Sequence, residues 1–371
     1  MIRVGVIGTG AISRRGHLPA WFASPFFEVV GIADLNKEVL DRTSREFGIH
    51  RAYTDYRRLL DDEQIEIVDV CTPTPTHHQL VVESLQAGKH VLVEKPLAFS
   101  LEEALDIYRV VKRVGKQLCV VQNCRFLPAV LSTRKRLRGG FLGKVVTIDA
   151  VALTHFPVGW NRAKWLYHRW GILYDFMPHL VDMVLWMNVS IPRKVVCFGG
   201  DFSGGDMGFA NYAQTLIEFE NNSIASLDVS WLTGTSMFNV DIHGTGGHIF
   251  LDIRTNSFFE MHGRSNPVDD LRHFGIRMKS WLSGIFTGRF FQGPLLHFRD
   301  LLQGFAQSLQ DNTSPPVSVR DGVIVNAILS AAQHSLERAE PIYFSQLLAE
   351  AGATEDEVRE ITEGLAVSSI D

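Results

Sequence analysis

Along the first third of the chain, short apolar runs alternate with amphipathic stretches of helical period. The runs Ile2–Ile7, Phe27–Ala33, Ile67–Cys71, His90–Val93 and Leu118–Gln122 are nearly continuous in apolar residues. Between them Lys37–Phe47 and Thr76–Ala87 carry helical spacing, and Gly88 follows the second as a stop. Strands apolar on both faces and separated by helices predict a parallel sheet covered on both sides.

After Arg125 the pattern changes. Helical Ala129–Arg138 runs into Gly139 and Gly140, strand-like Lys144–Leu153 follows, and an aromatic-rich irregular segment precedes helical Leu173–Met187. From Lys194 to Asp252 strand-like runs succeed one another without helices: Lys194–Phe198, Tyr212–Phe219, Ser223–Trp231 and Phe238–Asp252, with a turn at Asn221–Asn222. This predicts an open, mainly antiparallel sheet. Phe298–Gln310 and Asp321–Arg338 then supply helices for one face of it. The segment Asp270–Phe291 sets Arg272, Arg277, Lys279 and Arg289 among aromatics. It reads as an insertion packed on its own or a neighbouring subunit, in preference to a helix for membranes or phosphates.

Composition narrows the class. A chain of 371 residues suits two cores, and 46% hydrophobic with 21% charged residues is ordinary for a globular protein. A net charge of -5 argues against a general nucleic-acid binder. Cys71, Cys119, Cys124 and Cys197 form no CxxC pair and no zinc-ligand spacing, so reduced thiols are expected, with neither metal nor disulfides. The N-terminus MIRVGVIGTG runs straight into a strand, without the pattern of a secretory signal, and no apolar run reaches membrane-span length. The expected location is cytoplasmic.

The first strand ends in Gly8-Thr9-Gly10-Ala11-Ile12-Ser13. Such a turn lets the backbone approach a pyrophosphate seated on the following helix N-terminus, which makes Gly8, Gly10, Ala11 and Ile12 candidate cofactor contacts. The second strand ends in Asp34, near the spacing at which an acid grips the adenosine ribose. A carboxylate there repels a 2′-phosphate and favours NAD, while Lys37 and Arg42 leave NADP open. The reading is an α/β protein with an N-terminal Rossmann dinucleotide-binding domain, residues 1–124. A C-terminal α+β domain with an open sheet spans residues 125–371.

The run Thr72-Pro73-Thr74-Pro75-Thr76-His77, followed by Ala87-Gly88-Lys89-His90-Val91-Leu92-Val93-Glu94-Lys95-Pro96, resembles the Gfo/Idh/MocA oxidoreductases. Gly171-Ile172-Leu173-Tyr174-Asp175-Phe176-Met177-Pro178-His179 is similar to their second-domain signature, and Ser314–Ser335 to their C-terminal run. The sequence departs from the usual pattern at Thr74, Met177 and Pro178, where asparagine, glycine and a non-proline residue are common.

The resemblance implies hydride transfer between a nicotinamide and a secondary alcohol or ketone of a sugar, cyclitol or related small molecule. It places a lysine, an aspartate and a histidine around the reacting carbon, here Lys95, Asp175 and His179. The expected roles are electrostatic stabiliser, orienting group and general base. It also implies that Thr72, Pro73, Thr74, His77 and Glu94 shape the cofactor pocket. Arg125 stands equally as a nicotinamide neighbour or as half of a structural ion pair. A homodimer or homotetramer joined through the open face of the second sheet is expected.

Two chemical features bear on substrate and on rival readings. Trp160, Arg162, Lys164, Trp165, Tyr167, His168, Arg169 and Trp170 crowd before the signature. Aromatic faces suit a sugar ring, and the cations suit a carboxylate or phosphate; some of these tryptophans must be core. The rivals are a non-catalytic NAD(P) sensor of the same fold and an NADP-dependent reductase of a ketosugar, nucleotide sugar or imine. A third is a metal-dependent isomerase or hydrolase built on His155, His168, Asp175 and His179.

Overall fold

The computed structural model describes residues 1–155, 164–205, 207–263 and 295–367. Trp160, Arg162 and the basic-aromatic segment 270–291 lie outside them. Two compact units are formed, residues 1–126 with 293–326, and residues 127–292 with 327–371.

In the first unit, β1 (Ile2–Ile7), β2 (Phe27–Ala33), β3 (Arg51–Tyr53), β4 (Ile67–Val70), β5 (His90–Val93) and β6 (Leu118–Val120) form a parallel sheet. The order is β3-β2-β1-β4-β5-β6. Val4, Val6, Ile67, Val68, Val70, Val91, Leu92 and Val93 are fully buried, as expected of strands covered on both faces. The helix Lys37–Phe47 begins on Asn36, whose side chain accepts from the Val39 N–H, and ends at Gly48 in left-handed conformation. β3 escapes the sequence pattern because it is a half-exposed edge of three residues.

The division at residue 124 does not describe this unit fully, because residues 293–326 return to it. Helix Leu295–Asp311 buries Phe298, Leu301 and Phe305, with Phe298 against His17 at 4.7 Å between ring centroids. Gln117 Nε2 donates to the carbonyls of Ser308 and Thr313, and Val120 N–H donates to the Val317 carbonyl. Helical periodicity says which face is apolar but not which core receives it.

The second unit holds an eight-stranded sheet: β7 (Val145–His155), β8 (Pro192–Gly200), β9 (Tyr212–Phe219), β10 (Ile224–Ser230), β11 (Leu232–Gly244), β12 (Gly247–Asp252), β13 (Ser257–His262) and β14 (Ile342–Tyr343). Its order is β13-β12-β11-β7-β10-β9-β8-β14; β10 pairs parallel with β7, the other neighbours antiparallel. One face is buried through Ile148, Ala150, Ile217, Leu227, Val240 and Ile249, along with Leu180, Val181 and Val184 of helix Met177–Asn188.

Two runs read as single elements are in fact double. Phe238–Asp252 is a hairpin of β11 and β12, because the glycine-flanked Thr245-Gly246 turn reverses the chain. Leu173–Met187 is two helices, Ile172–Asp175 and Met177–Asn188, with Pro178 in the first turn of the second, where its missing N–H costs no hydrogen bond. Among the described residues, no helix is long and apolar enough to cross a membrane.

Candidate active site

β1 lies between β2 and β4, so the chain leaves the sheet in opposite directions at that point and opens a crevice at the carboxyl ends. Gly8 turns there with φ +92°, and a Cβ would sit 2.7 Å from the Cys71 carbonyl oxygen and 2.9 Å from Thr72 Cγ2. Only glycine satisfies both the angle and the approach. A Cβ on Gly10 would meet nothing within 4 Å, so that position faces open space beside the turn. Asp34 Oδ2 accepts from Thr9 N–H at 2.8 Å and Thr9 Oγ1 at 3.0 Å, and Oδ1 accepts from Asn36 N–H at 2.8 Å. The acid thereby ties the glycine turn to the end of β2.

Gly8, Gly10, Asp34, Cys71 and Thr72 line a cleft of about 440 Å³. Of the residues expected to touch a cofactor, Gly8, Gly10, Asp34, Thr72 and Pro73 line it. Sequence reasoning missed Leu35, Tyr56 and Gln79 on its wall. Leu35, next to Asp34, is 90% exposed, an apolar surface suited to a purine face. The signal for it was simply an apolar residue following the strand-end acid. A glycine-floored, largely apolar cleft ending on a carboxylate fits a dinucleotide.

The other expected pocket residues have different surroundings. Ala11 is exposed and Ile12 is 43% exposed, while Thr74 is buried. His77 is buried, with Nδ1 2.9 Å from the Pro96 carbonyl and Nε2 2.8 Å from that of Thr72. It ties the loop after β4 to the loop after β5. Burial pushes its pKa below the ordinary value, although the carbonyl hydrogen bonds oppose this. Arg125 is buried and forms an ion pair with Asp321 at 3.0 Å. Burial alone would raise the Asp321 carboxyl, but the Arg125 charge and the Ser318 hydrogen bonds hold it below its ordinary range.

Glu94 and half-buried Lys95 follow β5. The Lys95–Pro96 peptide is cis. Lys95 N–H donates to Glu94 Oε2 at 3.1 Å, while Glu94 Oε1 lies 2.8 Å from Nε2 of fully buried His17. The other ring nitrogen of His17 is 2.9 Å from Asp69 Oδ2, which also receives Trp21 Nε1–H at 2.6 Å. Cys71 Sγ donates to Asp69 Oδ1 at 3.4 Å. Two carboxylates facing both nitrogens call for an imidazolium. Burial opposes that charge, yet Asp69 and its neighbours raise the His17 pKa well above its ordinary value. For Glu94 burial likewise acts upward, but His17 and Lys95 hold it low. Sequence reasoning missed this network. The available signal was an acid, Asp69, in the middle of an otherwise apolar buried strand.

In the second unit, Asp175 ends the short helix Ile172–Asp175 and is buried, accepting from Trp231 Nε1–H at 3.0 Å. Trp231 packs on Phe209, which stacks on Tyr167. His179 is half-buried in the first turn of the next helix, its ring 6.4 Å from that of Phe238. The helix break at Phe176 makes the shared helical face of Asp175 and His179 approximate. Trp170 is core, donating to Glu337 at 2.7 Å. Among the described residues, the clusters compact enough for a metal are His17–Asp69–Cys71 and Asp241–His243–His248, not the rival set around His168.

The fold and the glycine-floored cleft define a dinucleotide-binding protein. Residues 2–122 match the family model described as oxidoreductase family, NAD-binding Rossmann fold, and residues 130–250 match the GFO/IDH/MocA C-terminal domain. The chain belongs to the Gfo/Idh/MocA oxidoreductase family. It is 26% identical to levoglucosan dehydrogenase of Pseudarthrobacter phenanthrenivorans over 72% of this chain and 78% of that protein. It is also 26% identical to scyllo-inositol 2-dehydrogenase (NAD(+)) of Bacillus subtilis over 92% and 96%. In fold it resembles an oxidoreductase from Agrobacterium radiobacter solved with NAD+, L-tartaric acid and magnesium, with TM-score 0.78, 20% identity and coverage of 94% and 99%.

Proposed function

We propose that the protein is an NAD-dependent dehydrogenase oxidising a secondary alcohol of a sugar or cyclitol, with Lys95, Asp175 and His179 as its working groups. The observation that carries this reading is the open cleft beside Gly10, bounded by Asp34. The dehydrogenases of sugars and cyclitols among its relatives support the substrate class.

The bound nicotinamide supplies the hydride acceptor. Asp34 would hold the ribose hydroxyls and disfavour a 2′-phosphate. Lys95, anchored through its N–H to Glu94, would bring an ammonium to the substrate oxygen and stabilise the developing alkoxide. His179 would take the hydroxyl proton at a ring nitrogen. Asp175, fixed by the Trp231 indole, would orient these groups.

Exposed Phe198, Leu216, Ile224 and Met237 on the open sheet face support assembly of identical chains through it. The function is tested by titrating the protein with NAD(H) and NADP(H), following tryptophan fluorescence, then screening polyols, inositols and sugars for nicotinamide reduction. Turnover with NAD that vanishes in Lys95→Ala and His179→Ala is expected. NAD binding without turnover on any substrate would favour the sensor reading, and absence of binding would overturn both.

A further inference from the structure

The β11–β12 hairpin, none of whose residues line the cofactor cleft, concentrates metal-ligating side chains on the open face of the second sheet. His243 and His248 are direct cross-strand partners beside the tight Thr245-Gly246 turn. Val240 and Ile242 of β11 and Ile249 of β12 point into the core, so strand alternation sends Asp241, His243 and His248 to the opposite face. The two imidazoles stack with centroids 4.4 Å apart and planes 9° from parallel. His248 Nε2 reaches diagonally to Asp241 Oδ1 at 2.5 Å. One ligand atom from each of the three residues lies within 4.8 Å of the others.

The surroundings are acidic. Asp149 of β7 is the register partner of Asp241, and Asp228 lies on β10, the other neighbour of β7. By strand alternation Asp149, Asp228 and Asp241 lie on the same open face as the two imidazoles.

We propose that Asp241, His243 and His248 form a binding site for a zinc-type divalent ion, with Asp149 or water completing the shell. Two imidazoles and a carboxylate are the donor set that such ions prefer over magnesium or calcium. In tetrahedral geometry, bonds of ~2.0–2.2 Å hold ligand atoms roughly 3.3–3.5 Å apart. Binding requires the two imidazoles to swing out of their present stack, so that one ring nitrogen of each points at the ion beside Asp241. One hairpin with a tight turn supplies all three ligands. The ion would displace the His248–Asp241 hydrogen bond, offset the local negative charge and fasten β11 to β12. The site is distinct from the cofactor cleft and independent of the catalytic assignment.

The test is a Zn²⁺ titration of the whole protein at pH 7.5 in competition with a chromophoric chelator, with His243→Gln and His248→Gln in parallel. One equivalent per chain is expected, weakened at least ~10-fold in each variant, alongside unchanged NAD binding and metal-free melting temperature. With Co²⁺, the visible d–d bands of a nitrogen–oxygen site should appear and be lost in both variants. Zinc binding that survives unchanged in both variants would assign the ion elsewhere and overturn the proposal. So would an unchanged chelator signal and absent Co²⁺ bands, meaning that the protein binds neither ion.

Discussion

Replacing His17 by glutamine removes the cation that both Asp69 and Glu94 face, in a place where all three side chains are buried or nearly so. Breaking a buried ion pair from one side costs about 3–5 kcal/mol, because the remaining charge stays out of water. Asp69 keeps its Trp21 and Cys71 donors and Glu94 keeps the Lys95 N–H, so the two losses should fall short of adding fully. A drop of ~3–5 kcal/mol corresponds to a melting temperature lower by on the order of 10 °C in a domain of this size.

The effect must also depend on pH. The pKa of His17 is raised by folding, so its contribution is complete below the unfolded value of about 6.5 and is lost as pH rises through the higher native value. Glu94 is lowered by folding; its contribution is present above about 4.3 and is lost as pH falls through its native value. The stability gap between native protein and His17→Gln should therefore be widest near pH 5–6.5 and narrow in alkali. Urea unfolding followed by tryptophan fluorescence at pH 6 and pH 9 measures it. Adding Asp69→Asn to His17→Gln removes one stranded carboxylate and should recover part of the loss. A gap below ~1 kcal/mol, a gap equal at both pH values, or strict additivity in the double variant would refute the imidazolium network.

Other consequences are equally direct. Asp34→Ala should weaken NAD ten- to a hundredfold, the equivalent of about 1.5–3 kcal/mol for a charged hydrogen bond, and narrow the preference over NADP; fluorescence titration of both cofactors decides. A Cβ at Gly171 would overlap the Leu166 carbonyl, so Gly171→Ala should cost ~3 kcal/mol in urea unfolding; a neutral result would contradict the packing described. Charging the open sheet with Phe198→Lys and Ile224→Lys should lower the sedimentation mass, and an unchanged mass would remove that face from assembly.

Local pattern carried much of this protein. β1, β2, β5, β9 and helix Lys37–Phe47 have the bounds expected from periodicity, because continuous apolar runs, caps and turn residues act over a few neighbours. Gly8 and Asp34 were likewise legible, since a turn after one strand and an acid ending the next follow from short-range chemistry. The glycine-bounded reversal between β11 and β12 was readable in principle, but the apolar run through it masked the turn.

What only the tertiary structure decided are choices among distant partners. His17 meets Asp69 and Glu94 across separations of 52 and 77 residues, and neither spacing marks the pair. Helix Leu295–Asp311 has an apolar face that could cover either core, and the packing of Phe298 on His17 selects the first. The Asp241–His243–His248 cluster likewise exists only once hairpin register sets two histidines opposite each other. Short-range forces act between residues whose spacing is written in the chain, whereas burial and charge pairing act between whichever groups the fold brings within a few ångströms.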